Sequence, residues 1–222
     1  MIDKQDFEAY PDFKRFNANV ADTWDAALGD AMRISGQSPE TLRLLDCGCG
    51  DGKYFHHPVS KRGLRAENVH GVEVSSRRVE RCHEMGWTNA RRIEGTVPLP
   101  YEDSSFDIVN MMEVIEHIPV EQGERTLNDL RRIFRPGGVL LISTPNYPIK
   151  RFCDWSDALL HRKWSRLRDD PTHVTDFNDR SLRQLLERSF SEVQTRPFKP
   201  GYLYKRTGSP WLMHKLFFLC SA

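Results

Sequence analysis

A glycine-rich segment near residue 50 is the first candidate for chemistry in this sequence. Residues 44–52 read LLDCGCGDG, after a predicted strand and before a predicted helix. Glycines at such a turn permit tight conformations and let a ligand approach the main chain closely. The spacing of Gly48, Gly50 and Gly52 is narrower than the G-x-G-x-x-G of dinucleotide-binding loops. The segment therefore predicts a site for a polar ligand and does not favour a pyrophosphate.

Ionisable side chains further along the chain could transfer protons or bind a metal. His117 follows a predicted strand, at the carboxyl end of the sheet, where open α/β folds bind ligands. Because an unperturbed histidine titrates near neutrality, His117 is a candidate general base, with packing or capping of the next helix as the alternative. Together with Glu113, Glu116 and His173 it also forms a candidate divalent-metal set, since carboxylates and imidazoles are suitable ligands.

The cysteines do not suggest a disulfide framework or a zinc site. There are five in the chain, and two of them, Cys47 and Cys49, lie in the glycine segment. An odd count is typical of a reducing compartment. Structural zinc sites usually have a second cysteine pair, which is missing here.

Composition and charge predict a folded cytoplasmic protein. Of the 222 residues, 39% are hydrophobic, and the formal net charge is +1. This charge gives no global attraction to nucleic acid or acidic membranes. Residues 1–6 are polar and acidic, so no signal peptide is expected, and no apolar run reaches the roughly 18 residues of a membrane span.

Strands alternate with helices along most of the chain. Predicted strands cover 42–47, 69–74, the vicinity of Ile93, 106–112, 139–143, 192–196 and 202–205. Predicted helices cover 20–34, 75–85 with Ser75 as N-cap, 122–134 and 181–190. Such alternation indicates βαβ units and a largely parallel sheet.

Five segments, in order, resemble motifs of class I S-adenosylmethionine-dependent methyltransferases. They are the glycine segment, 99–109 (LPYEDSSFDIV, similar to LPFxDxSFDxV), 113–118 (EVIEHI), 135–146 (RPGGVLLISTPN) and 173–190, with its H…F…L..LL…F pattern. The resemblance implies a Rossmann-like α/β fold, with a mostly parallel seven-stranded sheet and helices on both faces. It also implies S-adenosylmethionine as methyl donor and S-adenosylhomocysteine as product.

The same resemblance assigns site residues. Cofactor binding is expected at Asp46, Gly48, Cys49, Gly50, Glu73, Val74, Gly95, Thr96 and Glu113. The Glu73 carboxylate would hold both ribose hydroxyls, because a carboxylate accepts two hydrogen bonds at once. Glu113 and His117 would border the transferred methyl group as the catalytic residues.

One departure from the family pattern concerns the adenine. Many relatives carry an acid after the third strand that contacts the adenine amine. Residues 93–98 (IEGTVP) look one residue short there. We therefore expect backbone groups near Gly95 and Thr96 to make this contact instead.

The sequence is compatible with both metal-dependent and metal-free methyl transfer. Quinone-biosynthetic O-methyltransferases and small-RNA 2′-O-methyltransferases resemble the 113–118 segment and use a divalent ion. The same segment also occurs in metal-free relatives.

The remaining regions are expected to serve the acceptor. We divide the chain into an N-terminal helical segment (1–40), a methyltransferase domain (41–208) with a lid-forming insertion (146–176), and an apolar tail (209–222). Basic residues and tryptophans of the insertion suit an anionic substrate, with a solvated basic lid whose tryptophans pack inward as the alternative. These residues are Lys150, Arg151, Arg162, Lys163, Arg166, Arg168, Trp155 and Trp164. The tail, notably 211–219, could fold back, form an oligomer contact or lie at a membrane interface.

The expected activity is O-methylation of a small molecule, glycan or lipid-linked acceptor. A metal-dependent RNA 2′-O-methyltransferase is the first alternative, although four aspartates in the insertion dilute its charge and do not favour nucleic acid. A non-catalytic methyltransferase-like binding domain is the second.

Overall fold

The fold is built on a seven-stranded sheet with the strand order β3-β2-β1-β4-β5-β7-β6. This computed structural model describes residues 20–95, 97–147, 149–162, 164, 170, 172–198, 206, 208–209 and 213–221. The strands are β1 (Leu44–Cys47), β2 (Val69–Glu73), β3 (Ala90–Arg92), β4 (Phe106–Met112), β5 (Phe134–Pro145), β6 (Glu192–Thr195) and β7 (Lys215–Ser221). The pairs among β1 to β5 are parallel, and β7 is antiparallel to both of its neighbours.

Helices cover both faces of this sheet. They are α1 (Asp22–Ser35), α2 (Lys53–Arg62), α3 (Ser76–Glu84), α4 (Val120–Ile133), α5 (Ile149–His161) and α6 (Asp179–Leu186). Alternate strand residues point to opposite faces, so Leu45 packs in the cluster with α4 and α6, whereas Leu44 packs with α1, α2 and α3. The predicted fold class is confirmed, since both faces of a mostly parallel sheet are buried under helices.

Local signals place the helix ends correctly in several cases. The Ser75 hydroxyl accepts from the backbone N–H of Arg78, as expected of the N-cap of α3. Several boundaries differ; the helix expected at 181–190, for example, covers Asp179–Leu186. The predicted strand at 139–143 extends over all of β5 and includes Phe134, and the third strand ends at Arg92, before Ile93. The strand expected at 202–205 lies outside the described residues.

The apolar C-terminal segment is part of the sheet. β7 pairs with β5 from Val139↔Ser221 to Pro145↔Lys215, and with β6 on its other side. Residues 216–220 are fully or almost fully buried, so these side chains offer no surface to a membrane or a second copy. Residues 215–221 therefore fold back into the sheet of the domain expected at 41–208. An oligomer or membrane contact through other residues of the tail stays a prediction.

The N-terminal helix is likewise integrated. Trp24 and Leu28 of α1 are fully buried against the sheet. Within the described part of the chain, no helix is long and apolar enough to span a membrane.

Candidate active site

The glycine segment forms the turn between β1 and α2. Gly48 has a φ of 78°, in the left-handed region, and a Cβ added there would lie 2.4 Å from Cγ2 of Val114. The N–H groups of Gly48 and Cys49 donate to the Val72 carbonyl at 2.8 and 3.0 Å. The turn is thus tied to β2 and packs directly against the segment that follows β4.

Glu73, at the end of β2, anchors this turn. Its buried carboxylate accepts hydrogen bonds from the N–H groups of Gly50 (2.9 Å), Val74 (2.9 Å) and Ser75 (3.1 Å). A carboxylate offers about four acceptor positions, so capacity remains for a ligand hydroxyl. The ribose role stays a prediction, and the loop-anchoring role was not anticipated from the sequence.

Asp46 lies at one end of a buried polar chain. Asn110 donates to its Oδ1 at 2.6 Å, and the Trp24 indole N–H donates to the Asn110 amide oxygen at 2.8 Å. Burial raises the pKa of Asp46 to about 7, against the opposing hydrogen bond from Asn110. Among the described residues its Oδ2 is buried without a hydrogen-bond partner, which suits a ligand that donates a hydrogen bond there.

The two cysteines of the turn are held as thiols. Burial raises the pKa of Cys47 to about 12. A hydrogen bond with Cys82, together with burial, raises the pKa of Cys49 well above its ordinary value.

The region expected to contact adenine is partly described. The N–H of Ile93 donates to the Glu73 carbonyl at 2.9 Å, which brings the end of β3 beside the ribose-binding candidate. Gly95 is exposed, with no atom within 4 Å of an added Cβ. Thr96 lies outside the described residues, so the adenine contact remains a prediction.

A cavity of about 430 Å³ lies at the carboxyl ends of β4 and β5. Every lining residue except Pro145 carries an ionisable side chain. The lining consists of Glu113, Glu116, His117, Pro145, Lys150, Asp154, Asp170, His173, His214 and Lys215. The catalytic and metal-binding candidates from the sequence thus share one polar cavity.

Glu113 adopts an unusual backbone conformation in this cavity. Its φ is 59°, a value that non-glycine residues rarely adopt. The Ser143 hydroxyl donates to its Oε1 at 2.7 Å, and Lys215 forms an ion pair with its Oε2. Such strain persists where the surroundings enforce it and is frequent at functional sites.

Glu116 is the most deeply buried acid of the cavity, with 1% of its surface exposed. The Thr144 hydroxyl donates to its Oε2 at 2.9 Å, whereas Oε1 is buried with no hydrogen-bond partner among the described residues. Burial, followed by the Glu113 charge, raises its pKa to about 8. Glu116 is therefore mostly protonated at neutral pH.

The two histidines lie side by side. The His117 and His173 ring centroids are 4.8 Å apart, with the planes at 69°. His117 Nδ1 contacts Thr172, and the Tyr147 hydroxyl lies 3.0 Å from His173 Nδ1. Burial and the neighbouring His117 lower the pKa of His173.

Three residues of the expected metal set come together. Ligand atoms of Glu116, His117 and His173 lie within 4.8 Å of one another. Glu113 does not belong to this group, because Ser143 and Lys215 engage its oxygens.

The insertion presents its two tryptophans to solvent. Trp155 and Trp164 are 59% and 58% exposed, so the alternative in which they pack inward is wrong. Lys150 pairs with Asp154 one turn along α5, at 3.0 Å. Three basic residues of the expected cluster, Lys163, Arg166 and Arg168, lie outside the described residues.

Several residues in or beside the cavity were not expected from the sequence. Lys215 is on the strand expected to be a separate tail, and Asp170 and Thr172 lie in an irregular segment without a motif. Only their chemical types could have marked them as candidates.

Sequence comparison identifies a matching family. Residues 18–189 match the family described as a methyltransferase domain. The chain is 35% identical over 134 residues to an uncharacterized methyltransferase of Mycolicibacterium vanbaalenii, covering 58% of this chain and 49% of that protein. It is 32% identical over 171 residues to a ubiquinone biosynthesis O-methyltransferase of a Caulobacter species, covering 63% and 64%. These alignments span about half to two thirds of the relatives.

Structural comparison supports the same fold. A SAM-dependent methyltransferase from Archaeoglobus fulgidus aligns over 90% of this chain and 94% of its own, with a TM-score of 0.61 and 17% identity. A geranyl diphosphate methyltransferase solved with SAM aligns over 89% of this chain and 84% of its own, with a TM-score of 0.57 and 14% identity. At such identities the likeness concerns the fold alone.

Proposed function

The chain belongs to the S-adenosylmethionine-dependent methyltransferases, and we propose that it methylates an oxygen atom of a hydroxylated small molecule, glycan or lipid-linked acceptor. The observation that carries this proposal is the packing of the turn formed by the glycine segment against Val114, the chain neighbour of the cavity residue Glu113. Val114 packs against Gly48 and directly follows Glu113. A methyl group held at the turn would therefore face the cavity in which an acceptor can bind.

The residues of the turn suit the cofactor. S-adenosylmethionine supplies an electrophilic methyl group on a sulfonium centre. The remaining acceptor capacity of Glu73 fits vicinal ribose hydroxyls, and the buried Asp46 Oδ2 fits a hydrogen-bond donor. Gly48 and Gly50 have no side chain that could obstruct a ligand at the turn. The Cys49 side chain is buried in the core.

The cavity suits a polar acceptor. Its lining combines carboxyl, imidazole and ammonium groups, which can bind several hydroxyl groups by hydrogen bonds. Lys150 and Lys215 are both paired with acids, so the cavity does not present a strongly cationic surface. Hydroxyl-rich acceptors therefore fit this lining better than polyanions do.

His117 is proposed as the general base. Direct displacement at the methyl carbon requires alignment of the nucleophile. Such positioning can lower the activation free energy by about 7–11 kcal/mol in good intramolecular systems. A general base near the acceptor hydroxyl typically increases the reaction rate by about 10²–10⁴-fold. His117 lies in the cavity one turn after Glu113, where it can take that proton.

An acceptor screen tests the proposal. The purified protein is incubated with S-adenosylmethionine and a panel of phenols, sugars and polyprenyl-linked sugars, and S-adenosylhomocysteine is quantified by mass spectrometry. We expect acceptor-dependent product that falls at least about 100-fold in His117→Gln. His56→Gln, at an exposed position on α2, is the matched control. Full activity of His117→Gln would reject His117 as the base.

Metal-assisted transfer is a second candidate, favoured by the clustering of Glu116, His117 and His173. Glu116 Oε1, which has no hydrogen-bond partner among the described residues, and the two imidazoles form a ligand set suited to a divalent ion. Such an ion would polarise and orient the acceptor hydroxyl. A 2′-hydroxyl at an RNA end is one acceptor of this kind.

Chelation separates the two candidates. Metal-assisted activity would be lost in EDTA, restored by Mg²⁺ or Mn²⁺ and lost in His173→Ala, with short RNA duplexes included among the acceptors. Activity that is unaffected by EDTA would exclude the metal-dependent reaction.

A further inference from the structure

We infer that Thr172 and Asp170 are positioning residues that hold the neutral His117 ring with its proton on Nδ1. This assignment gives His117 the lone pair on Nε2 that the proposed function requires of a base, and its catalytic meaning rests on that function. Neither Thr172 nor Asp170 belongs to any motif of the sequence.

The hydrogen-bond partners of Nδ1 decide the tautomer. His117 Nδ1 lies 3.1 Å from the backbone carbonyl oxygen of Thr172. A carbonyl oxygen can only accept, so this contact is a hydrogen bond only if Nδ1 carries the proton. A ring with the proton on Nε2 would place two lone pairs against each other.

The Thr172 hydroxyl leads to the same conclusion. Its oxygen lies 3.0 Å from His117 Nδ1 and 2.6 Å from Asp170 Oδ1. The hydroxyl has one proton, and a carboxylate oxygen can only accept, so the proton points to Asp170. Toward His117 the hydroxyl then acts as an acceptor, which again requires a proton on Nδ1.

Further hydrogen bonds hold this group in place. Thr172 is 4% exposed, and its N–H also donates to Asp170 Oδ1 at 3.0 Å. The N–H groups of Val174 and Thr175 donate to the Glu116 carbonyl at 2.9 and 3.1 Å. The segment that carries Thr172 is therefore fastened to the turn that carries His117.

This arrangement completes the proton path of the proposed reaction. The acceptor oxygen forms a bond to the methyl carbon while the methyl–sulfur bond breaks, and its electron pair stays on sulfur as the sulfonium becomes a thioether. The hydroxyl proton moves to His117 Nε2. The resulting imidazolium donates from Nδ1 toward Thr172, and the nearby Asp170 carboxylate stabilises its charge, the role of a third group that orients a base.

Nuclear magnetic resonance tests the tautomer without any acceptor. The protein is labelled with ¹⁵N-histidine, and the His117 signals are identified by their loss in His117→Gln. At a pH where the ring is neutral, we expect a protonated Nδ1 and a lone pair on Nε2. A proton on Nε2 in the wild type would overturn the inference.

Two variants at one position test the role of Asp170. In Asp170→Ala the Thr172 hydroxyl is released and can donate to Nδ1, so the tautomer with the proton on Nε2 should become measurably populated. Asp170→Asn retains an oxygen acceptor for that hydroxyl and should keep the wild-type pattern. Identical histidine spectra for Asp170→Ala and the wild type would also overturn the inference.

Binding of S-adenosylhomocysteine, measured by calorimetry, confirms that both variants are folded. Because the spectra need no acceptor, an acceptor screen without product would contradict the proposed function alone. A misassigned tautomer would contradict this inference alone.

Discussion

The N–H of Gly50 donates a 2.9 Å hydrogen bond to the Glu73 carboxylate, so one side chain joins the cofactor turn to the end of β2. The same carboxylate accepts from Val74 and Ser75, at the start of α3. Glu73 therefore shapes the site even before any ligand is bound. Glu73 thus has two expected roles, anchoring the turn and binding the ligand. Mutation can distinguish these roles from that of an exposed surface glutamate.

Glu73→Gln should weaken both the fold and cofactor binding. The amide nitrogen replaces one acceptor oxygen and leaves a backbone N–H without its partner, which costs about 1–3 kcal/mol of unfolding free energy. Urea unfolding measures this loss, and calorimetry with S-adenosylhomocysteine should show at least a tenfold weaker affinity, a change of about 1.4 kcal/mol. The exposed Glu84→Gln on α3 is the control. Wild-type affinity in Glu73→Gln would refute the ribose assignment.

Gly48→Ala should lower the unfolding free energy more than Gly137→Ala does, although both glycines have a left-handed backbone conformation. Gly48 and Gly137 both have a φ of 78°, but only at Gly48 does an added Cβ meet another side chain, at 2.4 Å from Val114. Backbone strain alone should cost about 1 kcal/mol in Gly137→Ala, and overpacking should add about 1–3 kcal/mol in Gly48→Ala. Thermal and urea unfolding provide both values.

A double variant checks the cause of that difference. Gly48→Ala combined with Val114→Ala removes the clash and should recover part of the stability lost through Gly48. Equal costs for Gly48→Ala and Gly137→Ala would show that the contact with Val114 is unimportant.

Glu116 should make stability depend on pH. Burial and the Glu113 charge raise its pKa from 4.5 to about 8, so the folded protein retains a proton that the unfolded chain has lost. The stabilisation that comes from protonated Glu116 is fully present below about pH 4.5 and is lost as the pH rises through 8. In Glu116→Gln, the decrease in unfolding free energy between pH 6 and 8 should be smaller by about 2 kcal/mol.

Urea unfolding in EDTA-containing buffers measures this pH dependence. The exposed Glu121→Gln, at the start of α4, should retain the wild-type dependence. A Glu116→Gln protein with the wild-type slope would contradict a protonated Glu116.

Glycine and alanine at position 113 should differ in stability. Both remove the contacts with Ser143 and Lys215, but only glycine adopts a φ of 59° without strain. Glu113→Gly should therefore be about 1 kcal/mol more stable than Glu113→Ala, and both should lose most of the methyl transfer. Ser104, with a φ of 54° in an exposed loop, should show the same glycine–alanine difference with activity retained. Equal stability of the two Glu113 variants would argue against a strained backbone.

The regular elements could be predicted from sequence because their signals are local. Buried strands followed by glycine turns, the Ser75 cap and the periodicity of the helices require only neighbouring residues. The polar chain of Trp24, Asn110 and Asp46 joins α1 and β1 to β4, across sequence separations of 86 and 64 residues. No pattern within one segment encodes such a chain.

The C-terminal strand was missed for a related reason. A strand buried on both faces is a short continuous apolar run, which by itself does not differ from a tail that packs elsewhere. Lys215 reaches the cavity because antiparallel pairing places it opposite Pro145. Its place in the site therefore depends on the topology, as does that of Thr172 beside His117.

The position of β7 also has a consequence for biosynthesis. This strand comes last among the described elements but lies between β5 and β6. Among the described strands β6 pairs with β7 alone, so it gains this partner only after β7 has left the ribosome. The parallel half, β1 to β5, can pair during translation, whereas the edge of β5 stays open to other chains until then. Completion of this sheet is therefore a step that follows synthesis of its last strand.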